Sequence, residues 1–376
     1  MIKEIVAKSI LRKHKKIDSW FLSCYGMNIY RGCTHNCSYC DGRAEGYYVS
    51  GIFGQDIEVK INSIELLEKE LNPARKRTPF EKGFAMIGGG VCDGYQPVEE
   101  KYQLTRKALE LVNQYNFPVH MLTKSTLITR DTDLLTEINK KTRAIVSFSF
   151  SSCNDEISKV FEPGVPPPSE RLEAIKYLKR HGITCGMFLM PVIPFITDIP
   201  PVMVESVLKA KEAGVDFIIF SGMTLKEGRQ KEHFYKVLDK YNPGLKHEYE
   251  IIYPPSKWGS ANEEYYSAIS SLFYQIARKY NVPVRMPLRY FKNILSENNI
   301  ITVILEHIDF ILKMKGERSP YGYAAWSVSQ LNVPVRSIKY NLASLKGVGK
   351  TTEKIILEIL ETGTSSYYEK LMSFKI

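Results

Sequence analysis

Apolar and polar positions along this chain alternate between two rhythms. Short apolar runs of strand type are followed by stretches whose apolar residues recur three and four apart. Phe84–Gly89 (FAMIGG) is a buried-strand pattern ending in glycines, and Glu99–Tyr115 then has helical spacing. Pro118–Lys124 reads as a strand, and Asp131–Lys140 as a helix with Asp131 near its start. Ala144–Phe150 is β-branched and aromatic; Ser169–His181 puts Leu172, Ile175 and Leu178 on one helical face. Ile183–Met190, Val202–Ala213 and Val215–Gly222 continue as strand, helix and strand. Repeated β/α units predict a parallel sheet with helices outside it, and the rhythm alone fits an open sheet or a barrel. After about residue 255 the strands stop. Glu263–Tyr280 and Ile294–Lys315 are helical by spacing, joined by the proline-broken stretch Asn281–Phe291, and are expected to close the sheet's open side.

Active sites of parallel β/α folds collect where the strands end. Cys33–Cys40, Gly88–Asp93 and Lys124 each fall just after a predicted strand, and Ser147 and Ser149 lie within one. Composition adds less. The 376 residues are 44% hydrophobic, ordinary for a globular protein. No apolar run approaches the ~18 residues of a membrane span, so no membrane association is expected. The basic, amphipathic N-terminus lacks the apolar core of a signal peptide, and the expected location is a reducing cytoplasm. The net charge of +10 suits a polyanion such as nucleic acid. The densest basic stretches, Lys8–Lys16 and Asn72–Lys82, would equally serve as solvated faces.

The chemistry concentrates in RGCTHNCSYCDGR, with cysteines at 33, 37 and 40. A structural zinc knot usually shows two ligand pairs well apart, and no second pair follows here. A disulfide framework is disfavoured by 7 cysteines, sparse and odd in number. Three thiolates on one tight loop suit three irons of a [4Fe-4S] cubane, leaving one iron open to a substrate or cofactor.

This spacing resembles the signature of the radical S-adenosylmethionine (SAM) superfamily. Asn28–Arg43, with Tyr39 before the last cysteine, is similar to its spore photoproduct lyase-like branch, as are GGGVCDGYQPVEEKYQLTRKALEL, HMLTKSTLITRDTDLL, VFEPGVPPPSERLEAIKYLKRHGI and MPVIPF, in family order over about residues 15 to 255. The resemblance implies a partial (β/α)6 TIM-type barrel, open on one side, with a helical C-terminal extension. It implies that SAM chelates the open iron and that one electron from the cluster releases a 5'-deoxyadenosyl radical, the cofactor carrying the hard step. Gly88, Gly89 and Gly90 would let backbone approach the methionine amino group, or simply make a turn. Asp93 would accept from the SAM ammonium, Lys124 would pair its carboxylate, Tyr39 would pack near the adenine, and Ser147 or Ser149 would meet the ribose. Cys92 directly precedes Asp93, whereas the hydrogen-donating cysteine of spore photoproduct lyases precedes the matching aspartate by several residues. An inert thiol is therefore favoured over a hydrogen donor. Tyr95 is a candidate radical relay, with a surface tyrosine as the plain alternative.

In the tail, Ser344–Leu360 resembles a helix-hairpin-helix element, its hairpin Leu345-Lys346-Gly347-Val348-Gly349. Such a hairpin offers N–H groups to phosphate, and Lys346, Lys350 and Lys354 add charge, so Lys346, Gly347, Gly349 and Lys350 are candidate DNA contacts. Glu353 stands where that element prefers a small packing residue. Gly349-Lys350-Thr351 also ends like a P-loop, but the first glycine would fall at Ser344 and no strand precedes it. The chain divides provisionally into a barrel (1–258), a closing helical extension (259–335) and the hairpin tail (336–376). The reading is a radical SAM enzyme acting on a nucleic acid base, reduced by a donor such as ferredoxin or flavodoxin. Modification of a peptide or protein partner, and a DNA-binding protein with a structural or redox-sensing cluster, are the alternatives.

Overall fold

The computed structural model describes residues 1–45, 47, 51–75, 83–88 and 91–373. Gly89, Gly90 and the 76–82 part of the second basic stretch lie outside the described residues.

The first half of the chain runs β1 (Ile2–Ile5), β2 (Leu11–Asp18), β3 (Ser23–Met27), β4 (Tyr30–Arg31), β5 (Ile57–Lys60), α1 (Ser63–Leu71), β6 (Phe84–Ile87), α2 (Val98–Tyr102), α3 (Leu104–Gln114), β7 (Val119–Thr123), α4 (Thr132–Lys141) and β8 (Ala144–Phe150). It continues with α5 (Asp155–Phe161), α6 (Pro168–Arg180), β9 (Thr184–Val192), α7 (Pro200–Glu212), β10 (Phe217–Gly222), α8 (Arg229–Tyr241) and α9 (Lys246–Ile252). Helices α10 (Glu263–Lys279), α11 (Glu297–Met314), α12 (Tyr321–Ser329), α13 (Lys350–Thr362) and α14 (Ser366–Met372) complete it.

One seven-stranded sheet, in the order β10-β9-β8-β7-β6-β3-β2, curls into a half-barrel. Its strands from β3 to β10 pair in parallel, as the β/α rhythm requires, and β2 alone joins antiparallel to β3. The basic Lys8–Lys16 stretch is therefore largely a sheet-edge strand, with Ile17 buried, Lys13 and Lys15 outward and Lys16 paired with Glu306 of α11; outward lysines are a common way to blunt an edge. A second small sheet, β1-β5-β4, lies beside it.

The predicted helix over 99–115 is two helices. Gln103 takes a left-handed φ of 51° between α2 and α3. The buried Glu99 carboxylate accepts from Thr105 N at 3.0 Å and Arg106 N at 3.2 Å, so it satisfies the opening N–H groups of α3 and fixes the break.

Core residues divide by face. Val146, Phe148 and Phe150 of β8 face the outer helices, with Leu172, Ile175 and Leu178 of α6 in the same apolar layer. Inside the lower barrel, Tyr25, Phe84, Ile145, Phe188, Phe217 and Ile219 fill the lumen against Met286, Phe291 and Val303 from the C-terminal region. Burial of each such aromatic contributes about 2–3 kcal/mol. The C-terminal region thus meets the barrel through side chains of the lumen itself. Helices α11 to α14 also share a core of their own, built from Ile304, Ile308, Ala324, Val328, Ile356 and Ile359.

Candidate active site

The cysteine loop crosses the mouth of the barrel at the carboxyl ends of its strands. Cys33 and Cys37 are buried, Cys40 is partly exposed, and all three are free thiols. Ser38 N donates to Phe161 O at 2.8 Å and Gly164 N to His35 O at 3.1 Å, tying the loop to the end of α5. Arg43 Nε donates to Cys37 O at 3.1 Å, and Gln96 bridges Gly32 O at 3.0 Å and Thr34 N at 3.1 Å. Behind Cys40, Gln230 of α8 donates to Tyr39 O at 2.8 Å and Asp41 Oδ1 at 3.1 Å, and Lys226 pairs with Asp41 at 2.9 Å. Burial pushes the Cys37 thiol up to about 12 and raises Cys33 and Cys40 as well, so loading metal here must displace protons.

Among the described residues no three His, Cys, Asp or Glu side chains converge to hold a single metal ion. Three soft thiols, each held separately on one loop, fit a cluster that presents a different iron to each. Gly42 N also donates to Cys40 Sγ at 3.4 Å, a bond that favours the thiolate.

Asp93 lies below this loop with four donors on its carboxylate. Tyr95 N and Thr123 Oγ1 reach Oδ1, both at 2.8 Å; Lys124 N at 2.7 Å and His35 Nε2 at 3.1 Å reach Oδ2. A carboxylate offers about four lone-pair sites. Asp93 therefore binds the β6 loop, the β7 end and the cysteine loop together, and an incoming ammonium would have to displace one of these donors. Lys124 Nζ contacts Ser149 Oγ at 2.9 Å and Glu162 Oε1 at 3.0 Å. Glu162, fully buried, also accepts from Tyr39 Oη, from Ser158 Oγ at 2.9 Å and from Arg171 Nη2 at 2.6 Å. Burial alone would raise the Glu162 carboxyl; Arg171 and Lys124 outweigh it and hold the group well below the usual range.

A profile described as the radical SAM superfamily matches residues 27–205, the span that carries these groups. The chain belongs to the radical SAM superfamily. An uncharacterised protein of Methanocaldococcus jannaschii is 30% identical over 230 residues, 61% of this chain and 79% of that one. One of Mycobacterium tuberculosis is 28% identical over 263 residues, 67% of this chain and 75% of that one. The fold is like that of spore photoproduct lyase complexed with dinucleoside spore photoproduct, at a TM-score of 0.54 and 17% identity over 74% of this chain and 79% of that one.

Within this radical SAM barrel the expected residues separate. Cys33, Cys37, Cys40, Tyr39, Asp93, Lys124 and Ser149 meet at one mouth. Ser147 does not: its hydroxyl is sealed at 0% exposure against His120 Nε2 at 2.8 Å, and Gly186 packs so closely that a Cβ there would come within 2.6 Å of it. Tyr95 is neither a surface tyrosine nor aimed into the lumen. It is buried in the outer core, and its hydroxyl donates to Asp131 Oδ2 at 3.0 Å, which Arg106 and Arg130 neutralise. Gly88 sits at φ 77° with a Cβ position 2.5 Å from Leu122 O, so the turn itself demands glycine. Cys92 is buried near Cys33, with Gln96 Nε2 3.5 Å from its sulfur. Burial pushes its thiol up to about 12.

Sequence reading missed Glu162 and Arg171. The available signal was a charged residue at the head of an apolar helical face, Arg171 beside Leu172 and Ile175, with Glu162 just before a Pro-Gly turn.

In the tail, the hairpin packs on α12. Ser327 Oγ donates to Lys346 O at 2.7 Å, and Gly347, at φ 85°, lies against Tyr323 and Ala324. Lys346, Gly349, Lys350 and Lys354 are exposed. Thr352 rather than Glu353 takes the buried small-residue position, and a 3-10 turn at Leu342–Ser344, not a strand, precedes the hairpin, which removes the P-loop alternative.

Proposed function

We propose that this protein reductively cleaves SAM at a [4Fe-4S] cluster on Cys33, Cys37 and Cys40 and acts on a nucleic acid base, in the manner of a repair lyase. The observation that carries the reading is the meeting of three free thiols with the Lys124–Glu162–Arg171 network at the barrel mouth. When bound, cluster and SAM supply one-electron cleavage of the sulfonium, with methionine and a 5'-deoxyadenosyl group as the fragments. The chain's part is placement. Lys124 is the cation able to meet the SAM carboxylate, because Arg171 keeps Glu162 compensated when Lys124 turns away. Ser149 and Glu162 hold that lysine until then, and Tyr39 Oη donates to the same Glu162 carboxylate.

The nucleic acid half of the proposal rests on the +10 charge and the exposed lysines of the hairpin. The similar fold of spore photoproduct lyase, solved in complex with a dinucleoside spore photoproduct, adds support. A low-potential ferredoxin or flavodoxin in the cytoplasm is the proposed electron source. The test is anaerobic reconstitution with iron and sulfide, addition of SAM and dithionite, and chromatography for 5'-deoxyadenosine, repeated with damaged DNA present. Product that disappears in Cys37→Ala and rises with DNA supports both halves. A Cys37→Ala variant that loads as much iron as the parent rejects the ligand assignment.

A further inference from the structure

A cavity of about 1190 Å³ opens on the side of the barrel where β2 and β10 are not joined. It is walled by Trp20 after β2, Tyr266 of α10 and Glu306, Phe310 and Met314 of α11. No residue of the cysteine loop or of the Lys124–Glu162 network lines it, and it meets the aromatic fill of the lower lumen at Trp20, which packs on the margin of that cluster. Its volume is somewhat above the roughly 300–1,000 Å³ of small-molecule sites, so a small organic molecule fits with room for water.

Arg285 lines this cavity with only 1% of its surface exposed. Its guanidinium lies 3.2 Å from the Phe310 ring centroid and 5.6 Å from that of Trp20. Among the described residues it forms no ion pair, and the one hydrogen bond shown for its side chain runs from Nη1 to Val284 O at 3.1 Å. The carboxylates whose field reaches it are committed elsewhere. Asp18 Oδ1 accepts from Trp20 N at 2.8 Å and Phe21 N at 3.2 Å, and Glu306 pairs with Lys16. A guanidinium carries five donors in a planar fork shaped for an oxyanion, and a buried cation without a partner is costly. Burial accordingly drags its pKa down to about 9, the response of a cation short of compensating charge. Stacking on Phe310 occupies the face of the guanidinium and leaves its edge as the part available to a partner.

We propose that Arg285 anchors a second ligand site, in which a small organic anion presents a carboxylate or phosphate to the guanidinium edge and lays its body against Trp20 and Tyr266. The site is independent of the radical chemistry, so it is tested on the full chain without cluster. Thermal unfolding is followed in inorganic phosphate and, separately, in acetate, each against chloride at equal ionic strength. A bound anion raises the midpoint by at least about 2 °C once well above its dissociation constant. The same titrations on Arg285→Met subtract general salt effects and binding at the hairpin lysines. Ser267→Trp, which narrows the cavity from its exposed wall and leaves Arg285 in place, is the second variant should the first fail to fold. A shift with phosphate alone, acetate alone or both, lost in whichever variant folds, supports the site and names its head group. No shift in the parent, or an equal shift in parent and variants, overturns it.

Discussion

Lys124 and Glu162 stand 3.0 Å apart at the barrel mouth, joining the end of β7 to the turn after α5 across 38 residues of sequence. Arg171 holds the other carboxylate oxygen at 2.6 Å. Removing the acid leaves two cations facing each other in a buried setting. Glu162→Ala should therefore cost about 3–5 kcal/mol of stability, and Glu162→Gln, which keeps hydrogen-bonding capacity, less. Urea unfolding of the two variants checks the order. Because the folded Glu162 carboxyl titrates well below its unfolded value, its stabilising share is present above the unfolded value and is lost only in strong acid. A parent protein that lost this share between pH 7 and 5 would contradict the assignment.

Gly164 presses on the cysteine loop from below. A Cβ at this position would lie 2.4 Å from Thr34 O and 2.9 Å from His35 O, both backbone atoms unable to rotate away. Gly164→Ala should push the loop out of register and lower iron bound after reconstitution several-fold, with a fall in thermal midpoint. Iron assay and calorimetry on the same preparation separate the two effects. Full iron loading at a normal midpoint would show that the loop tolerates the displacement.

The cysteine motif and the β/α rhythm were legible because both are local. Spacing within Cys33–Cys40 points to the three thiolates proposed as cluster ligands, and periodicity in β6 to β10 states the parallel sheet. Long-range relationships were not. Glu162 earns its place through Lys124, Tyr39 and Arg171, none of them its neighbours in sequence. Asp93 was legible as a residue at a strand end, but not its four donors, which come from three segments. The β2 strand hid behind KHKK, whose charges mask an alternation that matters only at a sheet edge. The α2–α3 break needed Glu99 to fold back on Thr105 and Arg106, which periodicity does not register.

Lys346 and Lys350 flank the hairpin on its exposed side, away from the packed Val348 and Thr352. The double substitution Lys346→Ala/Lys350→Ala should leave folding intact and weaken binding to duplex DNA without sequence preference. If both lysines meet phosphates, the slope of log affinity against log salt should shrink by about 2. Fluorescence anisotropy at a series of salt concentrations measures it. An unchanged slope would remove the hairpin from the DNA proposal while leaving the radical SAM assignment untouched.

Buried neutral histidines should make the fold acid-sensitive. His120 is sealed between Phe21 O at 2.9 Å and Ser147 Oγ at 2.8 Å, and His307 between Tyr368 Oη at 3.1 Å and Ser19 O at 3.3 Å. Burial lowers them to about 4 and about 3, with the Arg285 charge adding to the second. The unfolded chain takes up protons near pH 6.5 that the folded chain refuses, so stability is full above that value and falls as the pH drops towards the folded values. At pH 5 the loss is about 2 kcal/mol for each histidine. His307→Gln should lower stability at pH 7.5, by removing the link between α11, α14 and the turn after β2, yet flatten its decline towards pH 5. Urea midpoints for parent and variant at half-unit intervals decide the matter: parallel curves would mean that His307 titrates alike in the folded and unfolded chains.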